Sequence, residues 1–350
     1  MKGWMGKFKA LFLLSSLALF LTGCGKENLT ALVPKGYGAK SSMDLIILTT
    51  VIMSFVLLAV MIFFVIVLVR FRKKKGQEDY IPKQVEGNQT LETIWTIIPI
   101  ILVIIMGVPT VIATFDLADA SKADEHINVD VTGNQYWWHF DYGEDEFQTS
   151  QDLYIPTGEK VYLHLKSSDV IHSFWVPSLS GKLDVNPENE NTMFLEAHEE
   201  GVYWGKCAEL CGPSHSLMDF KVIAVSPDDY EQWAKDMNDF DPEAKPKDTV
   251  AQEGQELFEE KSCMGCHAVG SSPVATGPNL TDFGNRTKIA GILEPTKENL
   301  VDWIQDPEKI KPGNEMTGKY PSLSDDEADK IAEYLLQLKP TDVAPESASK

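Results

Sequence analysis

Leu45–Val69 and Ile94–Phe115 contain no charged side chain. Coiled as a helix, such a run is apolar on every face, so a water-soluble fold would have to bury it on all sides. The first run gives about 37 Å of helix, enough to cross the hydrocarbon layer of a bilayer with some tilt. A wholly soluble fold is excluded. Arg70, Arg72, Lys73, Lys74 and Lys75 follow at once, and such cationic flanks stay on the cytoplasmic side. The first helix is therefore expected to run inward and the second to return, leaving through Asp116, Asp119, Asp124 and Glu125. Pro99 and Pro109 in the second span are tolerable in a packed membrane helix. Everything after Phe115 is placed on the outer face, in an oxidising compartment.

With 350 residues, the chain has room for two or three ordinary domains. Its 31 Lys and Arg against 52 Asp and Glu leave a formal charge of -21. That balance argues against nucleic acid as a partner, since phosphate binding needs clustered cations. Five cysteines are too few for a disulfide scaffold of this size. The expected order is an outer segment at 24–44, spans at 45–69 and 94–115 around a cytoplasmic loop at 70–93, an outer domain at 116–238, a linker at 239–250, a second outer domain at 251–340 and a tail at 341–350. A third apolar run, Ala10–Leu21, is too short to span. Lys2, Lys7 and Lys9 precede it and Leu21-Thr22-Gly23-Cys24 closes it, the form of a secretory signal over residues 1–23. The ending resembles a bacterial lipoprotein signal, which implies cleavage before Cys24 and acylation of that cysteine. An uncleaved membrane anchor is the alternative. The location implied is a bacterial cell membrane, crossed twice, with a lipid anchor at the amino terminus.

Between His126 and Asn238 the texture changes to short strands. Val161, Leu163 and Leu165 alternate with Tyr162, His164 and Lys166 after the turn Pro156-Thr157-Gly158, a period of two. Asn128–Tyr142, Thr192–Ala197 and Phe220–Val225 read the same way, which suggests an antiparallel sandwich. The chemistry lies in Cys207-Ala208-Glu209-Leu210-Cys211-Gly212-Pro213-Ser214-His215-Ser216-Leu217-Met218. Thiolate, imidazole and thioether together select copper over hard cations. A mononuclear blue-copper loop needs one cysteine only, whereas two sulfurs that each bridge both ions would hold a binuclear centre. Such a centre also needs a second imidazole, and His172 in Val170-Ile171-His172-Ser173-Phe174 is the best placed. Two alternatives remain: a plain Cys207–Cys211 disulfide, which leaves His215 and Met218 without a role, and zinc, for which methionine is a poor ligand. His126, His139, His164 and His198 lack sulfur neighbours and read as surface or strand residues.

Past the proline- and charge-rich segment at 239–250 comes Cys263-Met264-Gly265-Cys266-His267, the c-type heme attachment spacing. The cysteines would reach the two vinyl groups and His267 the iron. A methionine opposite histidine raises a heme potential, and Met316 lies downstream of a proline-glycine loop. Ser324 and Glu327 form a capping box. Ile331, Tyr334, Leu335 and Leu338 then give one apolar face and Pro340 a stop. A small helical domain follows.

The copper loop resembles that of subunit II of the heme-copper cytochrome c oxidases, Cys-x-Glu-x-Cys-x-x-x-His-x-x-Met, and the likeness runs from about Ser41 to Tyr230. It implies a two-helix transmembrane hairpin followed by an all-β cupredoxin-like sandwich. By that resemblance Cys207 and Cys211 bridge a binuclear CuA centre, and His172 and His215 bind one copper each. Met218 and the Glu209 carbonyl are weak axial ligands, and the Glu209 carboxylate reaches a magnesium ion at the border with subunit I. Leu91-Glu92-Thr93-Ile94-Trp95 resembles a family signature that places Glu92 near the mouth of a proton channel; its plain reading is an interfacial charge. Tyr136, Trp137 and Trp138 match the family's aromatic electron path, with Tyr136 where the family carries tryptophan. Gly277-Pro278-Asn279-Leu280 resembles the loop that supports the proximal histidine in class I cytochromes c. The whole chain is similar to oxidase subunits II that end in a fused all-α cytochrome c domain. That similarity implies an electron relay from an external donor, a cytochrome c or a quinol–cytochrome c reductase, through heme c and CuA to subunit I. Oxygen is reduced there with proton translocation, so the chain carries no oxygen site of its own. The same loop would also suit another CuA enzyme, such as a nitric oxide reductase, or a stand-alone lipid-anchored electron carrier or copper-delivery protein.

Overall fold

The computed structural model describes residues 28–72, 86–143, 147–270 and 276–343, with Phe12 and Ser15. Cys24 and Lys73, Lys74 and Lys75 lie outside the described residues. Helix α1 is Tyr37–Arg70 and α2 is Gln89–Leu117, both long and apolar enough to cross a membrane. Helix α1 begins eight residues before the expected span. Its first two turns are polar, with Lys40, Ser42 and Asp44, yet they are helical because they dock on the outer domain. Ala39 is buried and its N–H donates to Leu179 O at 2.9 Å. A Cβ on Gly38 would lie 2.3 Å from Ser180 Oγ, so only glycine lets the helix come this close. The Tyr37 hydroxyl donates to Asp116 Oδ2 at 2.6 Å and ties the outer ends of the two helices together.

Ten strands follow among the described residues: β1 Ile127–Asn134, β2 Trp137–Tyr142, β3 Phe147–Ser150, β4 Asp152–Pro156, β5 Val161–Ser167, β6 His172–Trp175, β7 Lys182–Val185, β8 Asn191–Leu195, β9 Gly201–Cys207 and β10 Asp219–Val225. They form two five-stranded sheets, ordered β3-β2-β1-β5-β8 and β4-β10-β9-β6-β7. Two departures from expectation appear. Asn128–Tyr142 is a hairpin rather than one strand, and the sandwich is mixed rather than antiparallel, because β1 pairs parallel with β5 and β10 with β4. Alternation within a strand records which face is buried, and it is blind to the direction of the neighbouring strand. Trp138, Phe174 and Phe220 fill the space between the sheets, with ring centroids 4.6–5.4 Å apart. Helix α3, Pro227–Asn238, closes the far end by stacking Trp233 on Tyr154 at 4.5 Å.

The remaining helices are α4 Thr249–Glu260, α5 Lys297–Gln305, α6 Pro307–Ile310 and α7 Asp325–Leu336. The expected capping box at Ser324 and Glu327 is present, and Ile331, Tyr334, Leu335 and Leu338 are buried. The segment read as a linker is not a free tether: Phe240 packs against the core of the helical domain, and Gln252 Nε2 donates to Pro246 O at 2.8 Å. Helices α4 and α7 cross at Gly254, where a Cβ would stand 2.0 Å from Lys330 O. Alanine in a helix is favoured over glycine by about 1 kcal/mol, but forcing a methyl against backbone costs about 1–3 kcal/mol. Gly254→Ala is therefore expected to lower the melting temperature of the heme band in the purified chain. An unchanged or raised melt would show that the crossing can relax.

Candidate functional site

Strand β9 ends on Cys207 and β10 starts after Met218, so the two strands hold the mouth of the loop between them. Cys207 N–H donates to Met218 O at 3.3 Å, and Ala208 N–H to Ser173 O in β6 at 2.9 Å. Gly212, with φ +136°, turns the loop, and a Cβ there would strike Tyr136 Oη at 2.5 Å. Gln135 Nε2 holds the Cys211 carbonyl at 2.5 Å. The result is a cluster in which the ligand atoms of His172, Cys207 and Cys211 all lie within 4.8 Å of one another. The two sulfurs are 3.8 Å apart and both cysteines are free. A disulfide needs a separation of about 2.05 Å, so the pair is not a cystine.

The other donors divide between the two sulfurs. His172 Nδ1 is 3.9 Å and the Glu209 carbonyl 3.2 Å from Cys207 Sγ. His215 Nδ1 is 3.6 Å and Met218 Sδ 3.8 Å from Cys211 Sγ. The set is soft and doubled, and it fits two copper ions better than one hard cation. The hydrogen bond from Cys211 holds the Cys207 thiol far below its usual value against the cost of burial. Cys211 is raised by the same bond, by burial and by the charge on Cys207. Bound cations would let both sulfurs ionise.

A carboxylate completes this arrangement, and it carries no signature of its own beyond lying three residues before a histidine. Asp169 Oδ1 accepts from His172 Nε2 at 2.7 Å, which turns the other ring nitrogen toward Cys207. Burial would raise the Asp169 carboxyl, but the His172 ring and the Gln135 and Val170 N–H groups outweigh it and hold it below the usual range. Gly133 leaves room for the imidazole: its Cβ would come within 3.0 Å of His172. Of the aromatic trio, Trp138 is in the core and meets the His172 ring edge-on at 6.0 Å. Trp137 lies on the opposite strand face against His139. Tyr136 is 4 % exposed. His164 is paired with Asn128 and Glu190, and no sulfur donor is found beside it among the described residues.

In the helical domain Cys263–Gly265 forms a short turn. Cys263 and Cys266 are both free thiols. His267 Nδ1 donates to Pro278 O at 2.9 Å, so its Nε2 is left for iron. A Cβ on Gly277 would press within 3.1 Å of that ring. Burial lowers the His267 pKa and keeps the imidazole in its neutral, ligating form. These residues fit a heme attached through the cysteines. Met316 is half-buried in the turn after Gly313, its N–H bonded to Asn314 Oδ1 at 3.0 Å. Glu92 lies in the first turn of α2, behind the Asn88 cap, where a negative charge meets the helix dipole favourably.

Three family models match the chain. "Cytochrome C oxidase subunit II, transmembrane domain" covers residues 40–112, "Cytochrome C oxidase subunit II, periplasmic domain" covers 145–225, and "Cytochrome c" covers 251–339. The cytochrome c oxidase subunit 2 of Alkalihalophilus pseudofirmus is 50% identical, over 97% of this chain and 99% of that protein. The chain belongs to the cytochrome c oxidase subunit II family. The subunit 2 of Bacillus subtilis is 47% identical over 95% of this chain and 98% of its own length. Membership makes the chain a subunit of an oxidoreductase and a membrane protein whose carboxy-terminal part is periplasmic, partnered by subunit I. The two outer domains imply copper and heme respectively.

Removing the carboxylate that orients a metal-bound imidazole weakens metal binding by about 10- to 100-fold. Asp169→Asn is expected to lower the copper affinity of the purified chain within that range and leave the heme band untouched. Copper competition titrations that match the wild type would show that His172 needs no such partner.

Proposed function

We propose that the chain is the electron-input subunit of a terminal respiratory oxidase whose oxygen-reducing, proton-translocating centre lies on subunit I. When bound, the heme and the copper pair supply two one-electron stations, one filled by an external reductant and the other emptied into subunit I. Cys207, Cys211, His172, His215, Met218 and the Glu209 carbonyl would hold the copper pair. Cys263 and Cys266 would attach the heme, and His267 and Met316 would bind its iron. The observation that carries this reading is the two-sulfur cluster with one imidazole against each sulfur, on a chain that also holds Cys-x-x-Cys-His with its histidine already oriented.

The protein's own part is to keep the ligands from moving. Both ends of the copper loop are fixed in strands, and Asp169 and Gly133 orient and seat His172. Trp138 and the phenylalanines behind it keep water from the inner side of that ring. A ligand set already in place costs little reorganisation when charge changes. The Glu209 side chain points outward beside Leu210, which is 78 % exposed, and Val170 and Ile171 are also exposed. An apolar patch beside the metal ligands supports this face meeting subunit I, where Glu209 would reach magnesium. Glu92, at the cytoplasmic end of α2, is assigned to proton uptake and Cys24 to lipid anchoring. A cytochrome c or a quinol–cytochrome c reductase is the donor.

Optical and paramagnetic resonance spectra of the purified chain are expected to show a c-type heme band and a multi-line mixed-valence copper signal. Cys207→Ser should abolish the copper signal, keep the heme band and reduce ascorbate-driven oxygen uptake of the complex to background. Zinc in the metal analysis, or consumption of nitric oxide in place of oxygen, would overturn the assignment.

A further inference from the structure

Among the described residues, the helical domain reaches the copper loop at Lys311-Pro312-Gly313. Lys311 is 3 % exposed although its domain's surface is otherwise rich in charge, and its Nζ donates to the Tyr136 carbonyl at 2.9 Å, 175 residues away in sequence. Ser214 Oγ donates to Pro312 O at 2.8 Å, and Ser214 directly precedes His215. Gly313, with φ +77°, lies against Pro213 and the Tyr136 hydroxyl. On the other side of this contact, Gln135 holds the Cys211 carbonyl and Tyr136 packs on Gly212. Three residues beyond Gly313 comes Met316. One segment therefore connects the turn that carries Met316, the proposed sixth ligand, to the loop that carries Cys207, Cys211, His215 and Met218.

We infer that Lys311 is a positioning residue that pins the Met316 turn of the heme domain onto the Gln135–Tyr136 step and the copper loop, so that donor and acceptor are docked rather than tethered. This inference rests on the proposed order of heme before copper. A buried ammonium is costly unless it is hydrogen-bonded, and burial pushes Lys311 down to about 7. A lysine serving only its own domain would extend into solvent, as the exposed Lys309 two residues earlier does. Lys311 instead makes its bond across the domain border. The same contact covers Tyr136, the position at which the family resemblance would have an external donor arrive. Docking by the chain's own heme domain leaves that surface no outside partner, which gives the substitution of tyrosine for tryptophan a setting.

The test uses the purified oxidase with both metals loaded, comparing wild type, Lys311→Met and Lys309→Met by amide hydrogen exchange. Loss of one hydrogen bond to a buried carbonyl is expected to raise opening of residues 134–137, 211–215 and 311–316 by about tenfold. Helix α7 should keep its protection, and Lys309→Met should match the wild type. In single-turnover experiments the Lys311→Met heme should be reduced by ascorbate at the wild-type rate while its transfer to copper slows with the loss of the docked population. Unchanged protection at 134–137 and 211–215 overturns the inference, as does loosening confined to the heme domain. Should Lys311→Met fail to retain heme, Ser214→Ala removes the neighbouring bond from the copper side, and the same readings decide. Wild-type enzyme that passes no electron from heme to copper would overturn the proposed function instead, while the exchange data would still judge the docking.

Discussion

Two sulfur atoms 3.8 Å apart on one loop cannot both carry charge without a cation between or beside them. Like charges at that distance, half out of water, repel by several kcal/mol even at an effective dielectric near 20. The hydrogen bond between them relieves this by lowering the Cys207 thiol and raising Cys211. The rest of the copper loop holds that pair in place. Strands β9 and β10 clamp the loop ends, glycine at 212 allows its reversal, Gln135 takes the Cys211 carbonyl, and His172 arrives already aimed by Asp169.

The second consequence concerns the way the domains are joined. A proline-rich segment suggests a tether that raises local concentration and leaves orientation to chance. The structure supplies orientation as well. Lys311, Ser214 and the Asn279 N–H, which donates to Ser150 Oγ at 3.1 Å, bond across the border, and Gly291 closes on Asp219. At the membrane side the first turns of α1 are fitted into the sandwich at Gly36 and Gly38. The sandwich thus makes contacts both with the start of α1 and with the heme domain, and its copper loop takes part in the second.

How much of this could be read beforehand depended on the range of the interaction. The spans were legible because charge must be absent over the whole thickness of a bilayer. The two candidate segments were legible because their proposed ligands fall within a dozen and five residues, the short spacings that a copper pair and a porphyrin require. His172 was found from the need for a second imidazole. Asp169 was not named, since an acid near a histidine is common and only the folded loop shows it bonded to the ring. The parallel pairs β1–β5 and β4–β10 were missed because side-chain alternation looks the same in either direction. The polar first turns of α1 were missed because they are helical only against a partner surface.

What the chain's order of residues determined is local chemistry: which runs are apolar enough to enter a membrane, which soft side chains are grouped as candidate copper ligands, and where the Cys-x-x-Cys-His spacing offers a heme its attachment. These depend on composition and spacing over a few turns, and no folding is needed to count them. Tertiary structure alone decided which groups meet across long separations. It set Asp169 under His172, buried Tyr136, and brought Lys311 to a carbonyl 175 residues distant. Such contacts are set by the packing of whole sheets and helices, which no short window of sequence contains.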